Sequence, residues 1–217
     1  MSRVAVVQFP GSCDEPDAER AVAAAGHEAV PWFHKDGPPD DVAAVVLPGG
    51  FSYGDYLRTG FLASHSPAMA WIRSFAEDGG TVLGVCNGFQ VLCEAGLLPG
   101  ALLPNAGRRF VCRQQDLVVE DAATAATRGL AVGDRLSVPV KHFAGRYVRA
   151  GAADARVVLR YAGSNPNGSE DAIAAVANPA GNVVGLMPHP EHAIDPLTGS
   201  ADGLAVFRAI AAATVAA

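Results

Sequence analysis

The stretch Thr81-Val82-Leu83-Gly84-Val85-Cys86-Asn87-Gly88-Phe89-Gln90 sets a cysteine where an apolar run gives way at once to a helical pattern. The spacing is that of a nucleophile elbow, Gly-x-nucleophile-x-Gly, with sulfur in place of a serine hydroxyl. A sharp strand-to-helix turn crowds the positions two before and two after the nucleophile, where glycine alone brings no Cβ. The turn lifts the Cys86 sulfur off the sheet edge, beside the unpaired N–H groups of a helix N-terminus that favour a thiolate. A buried cysteine in a glycine-rich turn has the same pattern, so a proton-transfer partner has to decide between them.

Met187-Pro188-His189-Pro190-Glu191-His192 offers that partner. Two prolines are expected to hold the segment extended, and alternation then turns His189 and Glu191 to the same side. A carboxylate there can orient one imidazole nitrogen and leave the other for sulfur. By the same alternation His192 faces away and reads as a bystander. A third element is Leu47-Pro48-Gly49-Gly50-Phe51-Ser52-Tyr53-Gly54-Asp55-Tyr56, two glycines after an apolar run. Such a loop frees backbone N–H groups to face an anion, and Gly50 with Asn87 can form an oxyanion hole.

The elements that position these groups alternate through the first half. Arg3–Phe9, Glu28–Phe33, Val42–Leu47 and Thr81–Val85 read as strands; Asp14–Ala25, Pro67–Glu77 and Asn87–Ala95 read as helices. Asp14, Glu15 and Asp17 look like acids of a helix first turn, with Gly26 as its stop. Strand and helix with short Gly/Pro breaks imply a parallel sheet with right-handed crossovers. The second half is strand-rich, with Phe110–Glu120, Arg135–Lys141, Arg146–Arg149 and Val157–Tyr161. Ala172–Ala177 and Asn182–Met187 flank the hairpin signal Asn178-Pro179-Ala180-Gly181, and a helix from Asp202 to about Thr214 closes the chain. The expectation is one α/β domain over residues 1–217, a flavodoxin-like three-layer sandwich with a mostly parallel central sheet and β-hairpin insertions.

The 217 residues are half hydrophobic and 18% charged, with a net charge of −6. That balance, with no Lys/Arg cluster, argues against nucleic acid as partner. No apolar run approaches the roughly 18 residues of a membrane span, and Met1–Val7 is too short for a signal segment. Four cysteines, at 13, 86, 93 and 112, show no paired framework, which points to a reducing cytoplasm. Cys13, Cys93 and Cys112 read as structural. His27, His34 and His65 form no metal-ligand spacing, and no metal is expected. Neither an ATP-cradling G-x-x-x-x-G-K-[ST] nor a dinucleotide fingerprint is present.

Gly84-Val85-Cys86-Asn87-Gly88-Phe89-Gln90, the loop Pro48 to Arg58, and Met187-Pro188-His189-Pro190-Glu191 together resemble class I glutamine amidotransferases. Pro10-Gly11-Ser12-Cys13-Asp14, Ser164-Asn165-Pro166-Asn167-Gly168-Ser169 and Gly199-Ser200-Ala201-Asp202-Gly203 extend the similarity to a branch serving purine biosynthesis. The resemblance implies a glutaminase with Cys86, His189 and Glu191 as its catalytic triad and Gly50 and Asn87 as its oxyanion hole. It further implies that Gln90, His142 and Phe143 contact glutamine, the last two partly through backbone atoms. Many relatives carry His-Gly-Glu-Gly where this chain has His142-Phe143-Ala144-Gly145, so a side-chain role of that Glu has no bearer here. The resemblance also implies partners: a large synthetase subunit that holds ATP and Mg, and a small bridging subunit, with no cofactor in this chain.

Two other readings use the same residues. A thiol hydrolase of this fold class also has an elbow cysteine, but usually with His directly after it, where this chain has Asn87. A catalytically dead scaffold would have no need of Cys86, His189 and Glu191 together.

Overall fold

Apolar runs bounded by glycine and proline become the strands in a computed structural model that describes residues 1–151 and 155–212. The order is β1 (Arg3–Gln8), α1 (Glu15–Ala24), β2 (Glu28–Phe33), β3 (Val42–Leu47), α2 (Phe61–Ser64), α3 (Pro67–Glu77), β4 (Thr81–Val85) and α4 (Asn87–Glu94). Then follow β5 (Ala101–Leu103), β6 (Val111–Val119), β7 (Arg135–His142), β8 (Arg146–Val148), β9 (Arg156–Tyr161), β10 (Ile173–Ala177), β11 (Val183–Leu186) and α5 (Leu204–Ala212). The expected continuation of the last helix to Thr214 lies outside the described residues.

One nine-stranded sheet runs in the order β2-β1-β3-β4-β11-β10-β9-β6-β7. From β2 to β11 neighbouring strands are parallel; from β11 to β7 they are antiparallel. The hairpin strands expected as insertions therefore mostly extend the main sheet, because β10 folds back beside β11 in the same plane. β5 and β8 form a separate two-stranded ribbon. Strand order reverses between β1 and β3, so right-handed crossovers send α1 and α3 to opposite faces. α5 packs against α1 and over β3 and β4, while α4 covers β3, β4 and β11.

Register explains why the chemistry converges. β4 is buried along its whole length. It pairs Gly84 with Leu47 of β3, and Val85 with Leu186 of β11. The three strands thus end side by side, and the residues just past them, Pro48–Gly50, Cys86 and Met187–His189, meet at the C-terminal edge where open α/β sheets bind ligands. The elbow glycines are required by contact. A Cβ on Gly88 would lie 2.0 Å from the Leu47 carbonyl oxygen, and one on Gly84 2.5 Å from Leu92 Cδ1.

Candidate active site

Cys86 sits at the junction of β4 and α4 with φ 49° and ψ −101°, a conformation that costs a non-glycine residue about 1–3 kcal/mol. The surrounding hydrogen bonds hold it there. Its N–H donates to the Leu186 carbonyl at 2.8 Å, and its Sγ lies 3.9 Å from the Lys141 carbonyl oxygen. The side chain is nearly buried but lines a cavity of about 150 Å³ together with Gly50, Gln90, His142, Phe143 and His189. All the predicted site residues except Asn87 and Glu191 line this cavity, and those two bond directly to residues that do.

The segment after β11 does not stay extended. His189 has φ −109° and ψ 86°, and Pro190–His192 form a 3₁₀ turn. Proline's fixed φ suits the first position of a helical turn, so the chain curls instead of running straight. Glu191 still reaches His189, with Oε1 2.6 Å from Nδ1, and both side chains are buried. The curl also corrects the reading of His192. Its Nε2 comes to 3.5 Å from Asp14 Oδ1 and 3.6 Å from Glu191 Oε1, so it belongs to the charged cluster. The turn is braced from behind by the 199–203 segment: Gly203 packs so closely that a Cβ would fall 2.0 Å from the Pro190 carbonyl oxygen.

His189 Nε2 makes no hydrogen bond among the described residues, so sulfur adjoins the ring without being bonded to it. Burial works against charge on this imidazole. The Glu191 carboxylate and the neighbouring Cys86 sulfur outweigh it, and the pKa is pushed up to about 10. The imidazole therefore keeps its proton between the Cys86 sulfur and the Glu191 carboxylate.

Asp14 is the residue that sequence reading missed. It stands at the N-cap of α1, yet its side chain makes no cap hydrogen bond. Instead Oδ1 accepts from Lys141 Nζ at 2.6 Å, and Oδ2 lies 3.5 Å from His189 Nδ1. Burial alone would raise its pKa, but His192, Lys141 and His189 hold it well below the usual carboxylate range. Asp14, His189, Glu191 and His192 thus place ligand-type atoms within 4.8 Å of one another. The ammonium of Lys141 already neutralises Asp14 there.

A chain of amides ties the loops together. The Ser52 N–H donates to Asn87 Oδ1 at 3.2 Å, Asn87 Nδ2 to Gln90 Oε1 at 2.9 Å, and Gln90 Nε2 to the Ala144 carbonyl at 2.6 Å. Both ends of the Gln90 amide are thus engaged within the protein. His142 is likewise occupied: Nδ1 lies 3.1 Å from Asn105 Oδ1 and Nε2 3.5 Å from Asn167 Nδ2. Burial, with the charge of His189, lowers its pKa to about 4, so it stays neutral. Asn167 also donates to the Gly145 carbonyl at 2.7 Å, which gives the Ser164–Ser169 motif its task of holding the 142–145 segment. Neither Asn105 nor Asn167 carries a local signal for that task.

The oxyanion-hole candidates are both backbone N–H groups. Gly50 bridges Ser12 through the bonds Cys13 N–H to Gly49 O and Phe51 N–H to Gly11 O, which leave its own N–H out of the bridge. Asn87 opens α4, where the first N–H groups have no partner within the helix. Of the other cysteines, Cys13 and Cys112 are exposed, whereas Cys93 is partly covered and lies 3.9 Å from the Pro99 carbonyl.

Known proteins resemble this chain. A protein-family model described as a CobB/CobQ-like glutamine amidotransferase domain matches residues 1–203. "Phosphoribosylformylglycinamidine synthase subunit PurQ" of Frankia casuarinae is 54% identical, covering 96% of this chain and 93% of that protein. The protein of the same name from Nocardia farcinica is 52% identical, covering 96% of each. Among solved structures, "Structure of PurLQS from Thermotoga maritima" contains a chain that superposes with a TM-score of 0.92 at 44% identity, covering 96% of this chain and 97% of that one. A structure from Thermoplasma acidophilum called a "putative gmp synthase subunit a protein" matches at TM-score 0.69 and 14% identity, which speaks to the fold alone. With its elbow cysteine, its His–Glu pair and these likenesses along nearly its whole length, the chain belongs to the CobB/CobQ-like glutamine amidotransferase family.

Proposed function

We propose that this chain is the glutaminase subunit of a phosphoribosylformylglycinamidine synthase, acting as one amidotransferase domain over residues 1–217 in the cytoplasm. It hydrolyses glutamine through a thioester on Cys86 and passes ammonia to a synthetase subunit. That partner, with ATP and Mg, converts formylglycinamide ribonucleotide to its amidine, and a small bridging subunit completes the complex. The observation that carries the reading is His189, held 2.6 Å from Glu191 and sharing one cavity with the elbow sulfur of Cys86.

The chemistry follows from those groups. The Cys86 thiolate attacks the carboxamide carbon; a C–S bond forms and the carbonyl electron pair moves onto oxygen. The N–H groups of Gly50 and Asn87 hold that oxyanion. As the tetrahedral adduct collapses, the C–N bond breaks and His189 gives its proton to the departing nitrogen, leaving ammonia and a glutamyl thioester. The neutral imidazole then takes a proton from water, whose oxygen displaces sulfur and releases glutamate. Ammonia released into water at neutral pH would become ammonium and lose its nucleophilicity, so delivery to a docked partner is required. Phe51, Phe110 and Phe143, exposed while lining the cavity, with Tyr56 and Leu57 on the adjoining loop, give such a partner an apolar rim to cover.

A diazo-oxo-norleucine tests the reading. One adduct per chain on Cys86, prevented by glutamine, is expected by mass spectrometry. Labelling elsewhere, or labelling indifferent to glutamine, refutes it. With the synthetase subunits and ATP present, Cys86→Ala is expected to abolish glutamine-dependent amidine formation while ammonia-dependent formation continues.

A further inference from the structure

Among the described residues two carboxylates line the cavity, and one of them has a cation. Asp14 is paired with Lys141 at 2.6 Å. Asp55 is not paired, and its Oδ1 is buried without a hydrogen-bond partner among the described residues. The neighbouring guanidinium is committed elsewhere, since Arg58 bonds Glu94 at 2.7 Å and lies over the Phe61 ring. Burial alone already pushes the Asp55 carboxyl above its ordinary value.

The loop holds this acid in place at a cost. Tyr53, Gly54, Asp55 and Leu57 all have positive φ, with Asp55 at 57°. Left-handed backbone disfavours L-residues by roughly 1–2 kcal/mol each, although Asp and Asn tolerate it better than most. A shielded carboxylate oxygen without a partner adds a desolvation penalty. Strained backbone and unpaired buried polar atoms of this kind cluster at active sites and ligand clamps.

We propose that Asp55 anchors the α-ammonium group of the substrate, so that the cavity selects amides of α-amino acids over amides lacking the amine. The inference rests on the glutaminase reading of Cys86 and His189, which fixes the carboxamide at the sulfur. The far end of glutamine then carries one cation and one anion. Of the lining acids, Asp55 alone lacks a counter-charge, and it takes the cation.

The test compares hydrolysis of L-glutamine with that of 4-carbamoylbutanoate, the same amide without its amine, by the chain with its synthetase subunits. Asp55→Asn is the informative variant, because Asn keeps the shape and accepts positive φ. The wild type is expected to prefer glutamine by tenfold or more in kcat/KM, about what one charged hydrogen bond contributes. In Asp55→Asn that preference is expected to fall to within about threefold, with the loss on glutamine falling mainly on KM. A preference unchanged in the variant overturns the assignment to Asp55 while leaving the glutaminase reading intact. Absence of glutamine hydrolysis in the wild type overturns both.

Discussion

Lys141 Nζ lies 2.6 Å from Asp14 Oδ1, joining residues 127 positions apart at the wall of the cavity that Cys86 lines. The pair is unequal: the Asp14 side chain is 7% exposed and that of Lys141 30%. Removing the lysine takes the closest of three cationic partners from a buried carboxylate and leaves it to His189 and His192; replacing the acid by its neutral amide lets the lysine turn to water. Lys141→Met is therefore expected to cost about 2–4 kcal/mol and Asp14→Asn about 1 kcal/mol. The double variant should be more stable than Lys141→Met alone. Urea denaturation checks the order, and an Asp14→Asn loss larger than that of Lys141→Met would contradict it.

Two imidazoles set opposite limits on stability. His142 is held down at about 4 by burial and by the charge of His189, against an ordinary value of 6.5. Between those values the unfolded chain binds a proton that the folded chain refuses, so stability falls as pH falls. His189 is raised from 6.5 to about 10 by Glu191 and Cys86 in spite of burial. Its contribution is complete below pH 6.5 and is lost as pH rises toward 10. Each slope is at most about 1.4 kcal/mol per pH unit. Unfolding free energies from pH 4 to 10 should flatten on the acid side in His142→Asn and on the alkaline side in Glu191→Gln. Identical profiles in all three proteins would remove both assignments.

Gly88 tests the elbow itself. A methyl group there would meet the Leu47 carbonyl oxygen at 2.0 Å, a backbone atom of the central sheet that has no room to retreat. Gly88→Ala is expected to lose more than about 3 kcal/mol or to fail to accumulate as folded protein. Gly79→Ala meets nothing within 4 Å but has φ 89°, so it pays for backbone strain alone. It should lose less than Gly88→Ala in thermal melts. Equal losses would show that the close approach at Gly88 is not what selects glycine there.

The parallel half of the fold was legible because its punctuation is local. β2, β3, β4 and α3 begin and end where glycine, proline and apolar runs say they should. β5 was not anticipated, since its three residues are a strand only by pairing with β8. The Cys86, His189 and Glu191 grouping was readable from an elbow and a His-x-Glu, although the geometry behind the second differs: a turn after Pro190 does what alternation was expected to do. Asp14 resembled a helix-start acid, and nothing nearby in sequence announces that Lys141 draws it away. Asn105 and Asn167 hold His142 from 37 and 25 positions away, and such contacts exist only once the sheet has formed.

The Cys86 sulfur comes early in the chain, whereas the His189 imidazole and the Glu191 carboxylate behind it follow after most of the sheet has been laid down. A polypeptide halted between residues 86 and 189 carries the thiol without the imidazole. Premature termination or stalled translation in that interval thus leaves a fragment that lacks the His189–Glu191 pair.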